Sequence, residues 1–301
     1  MSLSSSYRGR FAPSPTGPLH FGSLVAAVGS YLQAKHQNGE WFVRIDDIDP
    51  PREQKGAADD ILKTLEAFGF EWDQSVLYQS SRLKHYQEVV DHLIKQQLAY
   101  PCSCSRTSIL KKTGQTKGET IYPGFCRNRP LKKSSEYSIR LNCNNALIRF
   151  NDPVQGKQTI NLDKQVGDFI IQRRDQLFSY QLASGLDDAE QGITEVVRGA
   201  DLLSCTPSHL HVQHVLNLPS PQYCHLPIAL NDAGQKLSKQ NHAKAIFARE
   251  SAELLYKTLK FLGQMPSIHL MKANQEDIWS WAKTHWQLER VPKKLQLESK
   301  A

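Results

Sequence analysis

The chain has 301 residues, of which 40% are hydrophobic and 22% charged, and it carries a formal net charge of +7. This composition is typical of a folded globular protein and excludes disordered, collagen-like and coiled-coil chains. The sequence contains no apolar run near the roughly 20 residues of a membrane span and no secretory signal, so we expect a cytoplasmic protein without membrane contact.

The first half of the chain alternates between strand and helix patterns. A strand ends at Phe11 and Ala12, and a loop rich in Pro and Gly then leads into a helix for which Ser23 is the expected N-cap. A β-rich run at residues 41–45 precedes a second helical pattern that Gly69 ends. This order predicts a parallel α/β sheet.

The rest of the chain divides into an unusual segment and a return to regular patterns. Residues 102–130 are rich in Lys, Thr, Gly and Pro with few large apolar side chains, which indicates an inserted module. Further strands are expected at residues 137–141, 146–150, 169–171 and 194–198, followed by a helix at 208–216. After residue 240 the pattern is helical to the end.

Two loops contain candidate phosphate-binding residues. A strand that leads through a Pro/Gly loop into a helix N-terminus is an anion site, because unpaired N–H groups converge there. Gly17 and Gly22 have the spacing of a P-loop, but Ser23 stands where the phosphate-binding Lys is required, which excludes that motif. His20 remains in this loop, and a second polar loop places Lys236 and Lys239 around a Leu-Ser pair.

Together, these loops carry a family resemblance. HFGS at residues 20–23 and KLSKQ at residues 236–240 resemble the HIGH and KMSKS signatures of class I aminoacyl-tRNA synthetases. RFAPSPTG at residues 10–17 resembles the opening of glutamyl-tRNA synthetases, and RIDDID at 44–49, FSYQLA at 178–183 and GITEVVRG at 192–199 resemble later blocks of that family. The resemblance covers residues 8 to 245 in order.

The resemblance implies a Rossmann-like class I catalytic domain with an inserted, zinc-bearing module of the acceptor-binding type and a short helical C-terminal region. The expected divisions are residues 1–100 and 191–240 for the two halves of the catalytic domain, 101–190 for the module and 241–301 for the helical region.

Glutamate recognition requires partners for two carboxylates and one ammonium group. Arg is the fork-shaped donor for carboxylates, so Arg10 and Arg198 are the candidates, with either assignment open. Asp46, one methylene shorter than the family's Glu, is expected to pair with the ammonium group. The resemblance gives these glutamate-binding residues: Arg10, Phe11, Ala12, Pro13, Ser14, Asp46, Tyr180 and Arg198. Asp187 and Asp188 are interpreted as members of a polar network.

The resemblance also implies which residues act on ATP. His20 and Lys239 are the expected catalytic residues, and ATP is expected to contact His20, Gly22, Lys236 and Lys239, with Mg²⁺ accompanying the nucleotide. The glutamate carboxylate is already a nucleophile, so the protein has to position it and to neutralise the phosphate charge that develops.

Three of the six cysteines, Cys102, Cys104 and Cys126, lie within 25 residues of one another in the polar segment 102–130. Thiolates in a polar segment with little core suit a structural zinc ion. The family resemblance adds Tyr122 as the fourth ligand. Three reduced thiols without a metal are the alternative.

The acceptor is inferred from the length of the C-terminal part. Only residues 240–301 follow Lys239, which leaves no room for the large helical anticodon-binding region of an ordinary glutamyl-tRNA synthetase. This pattern, with PPR at residues 50–52, resembles the truncated paralogues that transfer glutamate to the queuosine base of tRNA(Asp). The resemblance implies a monomer that binds L-glutamate, ATP and tRNA(Asp) carrying queuosine. The alternatives are a minimal enzyme that charges a tRNA 3′ end and a non-catalytic tRNA-binding paralogue.

Overall fold

A computed structural model describes residues 6–114, 121–129, 136–143, 145–231, 234 and 244–298. The α-helices of these residues are α1 (Phe21–His36), α2 (Ala57–Ala67), α3 (Leu83–Lys95), α4 (Arg106–Thr113), α5 (Leu162–Gln165), α6 (Tyr180–Glu190), α7 (Thr206–Val215), α8 (Ser251–Phe261) and α9 (Gln275–His285). The strands are β1 (Arg8–Phe11), β2 (Glu40–Ile45), β3 (Leu77–Tyr78), β4 (Ala99–Cys102), β5 (Ser138–Leu141), β6 (Leu147–Asp152), β7 (Gly156–Asn161), β8 (Ile170–Gln172), β9 (Glu195–Gly199), β10 (Gln222–Leu226), β11 (Ile228–Leu230) and β12 (Gln296–Glu298).

The predicted parallel sheet is present in two adjoining parts. Strands β1, β2 and β3 pair in parallel in that order, and β9 pairs in parallel with β10. The two parts meet where the backbone N–H of Thr194 donates to the carbonyl oxygen of Arg8 at 2.9 Å. Parallel pairing brings the carboxyl ends of the strands to one edge, where α/β folds bind their ligands.

Helix α1 begins earlier than the sequence predicted. His20 has an extended backbone, and its Nδ1 accepts a hydrogen bond from the N–H of Ser23 at 3.2 Å, so His20 is the N-cap. The prediction that Ser23 caps this helix was wrong, because the imidazole takes the role that a hydroxyl usually has. Further along α1, a Cβ on Gly29 would lie 2.4 Å from Leu226 Cδ1, so glycine lets the helix pack closely on β10.

The C-terminal helices share the core of the parallel sheet. Residues of α8 and α9 pack in one apolar cluster with α1 and β2. The indole N–H of Trp286 donates to Gln33 Oε1 at 2.9 Å, and that of Trp279 donates to the carbonyl of Phe68 at 2.8 Å. The expectation of helix to the end was wrong at β12, because the open edge of β11 offers backbone partners to residues 296–298.

The middle of the chain forms a second unit of structure. Strands β4, β5 and β8 make an antiparallel sheet, and β6 and β7 form a hairpin. Around the predicted cysteine cluster the buried apolar core is small, with Tyr100, Cys102, Ile109 and Tyr122 at its centre. Among the helices that the structure describes, none combines the length and apolarity needed to cross a bilayer.

Candidate active site

A cavity of about 630 Å³ opens at the carboxyl ends of the parallel strands. Residues that follow β1 and β2 line it, because both strands end there. The predicted glutamate and ATP residues on its wall are Arg10, Phe11, Ala12, Pro13, Ser14, His20, Gly22, Asp46, Tyr180 and Arg198. The predicted ATP residues Lys236 and Lys239 lie outside the described residues.

A buried network of charges holds the floor of this cavity. Asp188 on α6 accepts two hydrogen bonds from Arg10, at 3.0 and 3.1 Å, and one from Arg44 at 2.7 Å. All three side chains are at most 3% exposed. Burial alone raises the pKa of Asp188, but the two guanidinium groups lower it well below its ordinary range. Asp188 is therefore ionised and joins β1, β2 and α6.

Arg44 is a site residue that sequence reasoning missed. It lies in the apolar run of β2, and besides Asp188 it donates to Asp46 Oδ1 at 2.8 Å and to Ser184 Oγ at 2.9 Å. A charged residue inside a buried strand was the available signal, because such a charge needs partners. Two of those partners, Ser184 and Asp188, lie 140 and 144 positions away in sequence.

Asp46 presents one free oxygen. Its Oδ1 is bonded to Arg44, whereas its Oδ2 is buried and has no hydrogen-bond partner among the described residues. Burial raises the pKa of Asp46 to about 6, although Arg44 opposes the shift. A cationic group in the cavity would give Oδ2 a partner and favour the charged carboxylate.

Arg198 is held in a different way from Arg10. Its guanidinium is buried, and none of the ion pairs among the described residues includes it. Its N–H groups donate to five neutral acceptors: Tyr180 Oη, His209 Nδ1, His225 Nε2, Thr206 Oγ1 and the carbonyl of Leu202. Tyr180 and Leu202 also line the cavity. The positive charge of Arg198 is therefore available to an anionic ligand.

The phosphate side of the cavity is formed by the start of α1. Because Nδ1 of His20 accepts the Ser23 N–H, the neutral ring carries its proton on Nε2. Leu19 and His20 also contact the chain beyond the second motif, since the N–H of Ile246 donates to the Leu19 carbonyl at 3.1 Å and Ala245 forms a bridge with His20. Of these residues, Leu19 and His20 line the cavity.

The predicted zinc ligands lie together outside the cavity. The sulfurs of Cys102, Cys104 and Cys126 are within 4.8 Å of one another, and Cys104 Sγ lies 3.6 Å from Cys126 Sγ. Tyr122 Oη is 3.3 Å from Cys102 Sγ and 3.6 Å from Cys104 Sγ. Zn–S bonds of about 2.3 Å at tetrahedral angles place sulfurs roughly 3.8 Å apart, so these four donors fit a zinc ion.

Glycine is required behind this cluster. Gly167 has φ of +73°, and a Cβ there would lie 2.4 Å from the backbone nitrogen of Tyr122. The neighbouring Asp168 N–H donates to the Tyr122 carbonyl at 3.0 Å. This close approach fixes the backbone of Tyr122 and directs its phenol to the thiols.

Comparison with known proteins identifies the family. The sequence-family model for the catalytic domain of class I tRNA synthetases (E and Q) matches residues 6–274. The chain belongs to this family. It is 50% identical to glutamyl-Q tRNA(Asp) synthetase of Dechloromonas aromatica and 47% identical to the protein of that name in Pseudomonas aeruginosa, in each case over 97% of both chains. These relatives confirm the resemblance to the queuosine-directed branch.

A solved structure gives the same fold. The glutamate tRNA ligase of Elizabethkingia meningosepticum, in complex with its amino acid, superposes with a TM-score of 0.80 at 25% identity. The match covers 99% of this chain and 68% of the ligase. The expectation of a class I synthetase catalytic domain is thus confirmed.

The buried network predicts a large cost when its shared carboxylate is removed. We expect Asp188→Asn to lower the free energy of unfolding by about 3–5 kcal/mol, because Arg10 and Arg44 would lose their common anion in a buried site. Because the pKa of Asp188 is lowered, its stabilising charge is present above the pKa of the unfolded chain, so the difference should persist from pH 5 to 8. Urea unfolding measures it.

Glu253→Gln is the matched control. Glu253 pairs with Lys257 at 2.8 Å on the surface of α8, so its loss should change the unfolding free energy by less than about 0.5 kcal/mol. A change of similar size in both variants would contradict the network's role.

Proposed function

We propose that this chain activates L-glutamate with ATP and transfers it to the queuosine base in the anticodon loop of tRNA(Asp). The observation that carries the proposal is the cavity that places Arg198, which has no described ion-pair partner, together with the unpaired Oδ2 of Asp46. This pair of charges complements the ammonium group and one carboxylate of an amino acid, and Arg10 on the same cavity wall provides for the second carboxylate of an acidic side chain. The choice of queuosine in tRNA(Asp) as the acceptor rests on the names of relatives whose alignments cover 97% of both chains.

Glutamate binding requires a donor for each carboxylate. Arg198 supplies one positive charge, with Tyr180 beside it at 3.0 Å. Arg10 supplies the other through Nη1, which has no hydrogen-bond partner among the described residues, while its Nε and Nη2 stay on Asp188. Asp46 Oδ2 accepts from the ammonium group, and the segment from Phe11 to Ser14 forms the wall beside it.

Activation joins a glutamate carboxylate oxygen to the α-phosphorus of ATP, and the bond from that phosphorus to pyrophosphate breaks. Membership of the family implies the use of ATP and Mg²⁺. His20 donates from Nε2 to a phosphate oxygen, and the backbone at Gly22 adds the positive end of α1. Lys239 and Lys236 neutralise the departing phosphates. A hydroxyl of the acceptor base then attacks the glutamyl carbonyl, and AMP leaves.

Acceptor binding uses the cationic surface. The net charge of +7 favours contact with RNA phosphates, and Arg52 and Arg173 stand on the cavity wall beside Asp49. An anticodon loop that inserts its modified base into the cavity brings its backbone close to these two side chains. A cytoplasmic location fits this role because tRNA and ATP are available there. The proposed enzyme acts as a monomer.

Zinc is the proposed structural ion of the module. Cys102, Cys104, Cys126 and Tyr122 would hold it, and it would supply a cross-link to a segment whose described apolar core is small. Burial raises the pKa of the Cys102 thiol, but hydrogen bonds from Tyr122 and Arg140 lower it by more, whereas burial raises the pKa of Cys126 and of Tyr122, so zinc would have to displace their protons.

The deciding experiment compares two tRNA pools. Labelled glutamate and ATP are supplied with tRNA from cells that make queuosine and from cells that cannot, each with and without the 3′-terminal CCA. We expect transfer only into the queuosine pool, with or without CCA. Equal transfer into both pools that is lost without CCA would establish 3′ charging, and no transfer together with no pyrophosphate exchange would establish a binding protein.

The raised pKa of Asp46 predicts a pH dependence of glutamate use. Below pH 6 the free protein carries a protonated Asp46, which cannot pair with the ammonium group, so kcat/KM for glutamate should fall about tenfold per pH unit. KM for ATP should change little. Glutamate-dependent pyrophosphate exchange from pH 5 to 8 measures this.

Asp46→Asn is the control for this profile. Its kcat/KM for glutamate should be low and flat through pH 6, because no carboxylate titrates there. An unchanged profile in this variant would remove Asp46 from ammonium recognition.

Metal analysis tests the cysteine cluster. We expect about one zinc ion per purified chain and a lower melting temperature after chelation, because the metal replaces apolar burial. Cys104→Ser should lose the zinc, whereas Cys205→Ser, outside the cluster, should retain it. Equal zinc content in both variants, or no zinc in the wild type, would leave three reduced thiols.

A further inference from the structure

On the side away from the cavity, the Arg198 guanidinium contacts the imidazole of His225. Its Nε donates to His225 Nε2 at 3.2 Å, and its Nη2 donates to Thr206 Oγ1 at 2.7 Å. Thr206 Oγ1 lies 2.9 Å from the same His225 nitrogen. A guanidinium can only donate, so His225 Nε2 must be an unprotonated acceptor.

The other nitrogen of His225 meets a buried carboxylate. Nδ1 lies 2.6 Å from Asp152 Oδ2, and both side chains are fully buried. A carboxylate only accepts, so the imidazole proton lies on Nδ1. Burial lowers the pKa of His225, which keeps the ring neutral at neutral pH. The hydrogen bonds therefore run from Arg198 to His225 and from His225 to Asp152.

We infer that Asp152 is a positioning residue for glutamate recognition, because it holds His225 in the one tautomer that can accept from Arg198. The inference rests on the proposed binding of a glutamate carboxylate by Arg198. Asp152 ends β6 in the inserted hairpin, and neither it nor His225 is among the described residues that line the cavity. Asp152 Oδ2 also accepts the backbone N–H of His225 at 3.0 Å, so Asp152 reaches the pocket only through His225, by its ring and by its backbone.

The indirect contact has an electrostatic consequence. Asp188 binds Arg10 directly, whereas Asp152 is separated from Arg198 by a neutral ring. Arg198 is thereby held in a fixed orientation while its charge remains available to a ligand carboxylate. A direct ion pair at this position would compete with the substrate.

The hydrogen bonds from Arg198 to His225 and from His225 to Asp152 form a relay, and Asp152→Asn tests it. Asp152 Oδ1 accepts from the backbone N–H groups of Val154 and Gln155, both at 2.8 Å, and an amide oxygen can keep these bonds. The amide NH₂ then faces His225 Nδ1 and forces the ring proton to Nε2, where it opposes the Nε–H of Arg198. The same NH₂ also loses the bond that Asp152 Oδ2 accepts from the backbone N–H of His225 at 3.0 Å, a loss that is shared by the His225→Gln background. We expect KM for glutamate to rise about ten- to a hundredfold, with KM for ATP changed less than about twofold.

Two further variants sharpen the test. Asp91→Asn makes the same chemical change on the exposed face of α3 and should leave both KM values unchanged. His225→Gln offers an amide oxygen to Arg198 without any tautomer, so adding Asp152→Asn to it should raise KM for glutamate by less than threefold.

The tautomer is observable directly. ¹⁵N-histidine NMR of the wild type should show His225, identified by its loss in His225→Gln, protonated on Nδ1, and Asp152→Asn should move the proton to Nε2. Wild-type protonation on Nε2 would overturn the inference even if Asp152→Asn failed to fold. Equal rises in the two KM values would also overturn it.

The outcome separates this inference from the proposed function. A wild type without glutamate-dependent pyrophosphate exchange would overturn the function, and with it the role assigned to the relay. Active wild type with the wrong tautomer would overturn the relay alone.

Discussion

The shared carboxylate of Asp188 is the interaction on which the site depends. It binds Arg10 from β1 and Arg44 from β2, and Arg44 in turn binds Asp46. Each of these charges is costly to bury alone, so the network forms as a unit or not at all. The network thereby connects two strand ends and α6 at the floor of the cavity.

The two arginines of the cavity illustrate how one side-chain type serves two purposes. Arg10 has two of its nitrogens, Nε and Nη2, committed to Asp188 and offers Nη1 to the ligand. Arg198, surrounded by neutral acceptors that include His209 and His225, keeps an unneutralised charge beside Tyr180. All five N–H groups of Arg198 are bonded, so it attracts an anion through its charge, and the Tyr180 hydroxyl that accepts from it has a proton to donate to the anion.

The sequence predicted the cavity wall better than its supports. Arg10, His20 and Asp46 were accessible because they lie in short motifs at the ends of strands, where α/β folds bind ligands. Among the supports, Asp188 was interpreted as part of a polar network, which the structure shows, but its partners were not found: Arg44 meets it across 144 positions, and His225 meets Asp152 across 73 positions. Such pairings depend on tertiary packing. For the same reason β12 was missed, since its three residues become a strand only beside β11.

The tryptophan contacts of the C-terminal region extend the active-site framework to the far end of the described chain. Trp286 binds Gln33 on α1, and Gln33 Nε2 donates to Glu195 of β9 at 3.0 Å. Helices α8 and α9 therefore belong to the same cooperative unit as the strand that carries Arg198. The backbone amides of α8 and α9 should therefore exchange with solvent through global unfolding of the domain and not through local fraying. These last helices support the strand that carries Arg198.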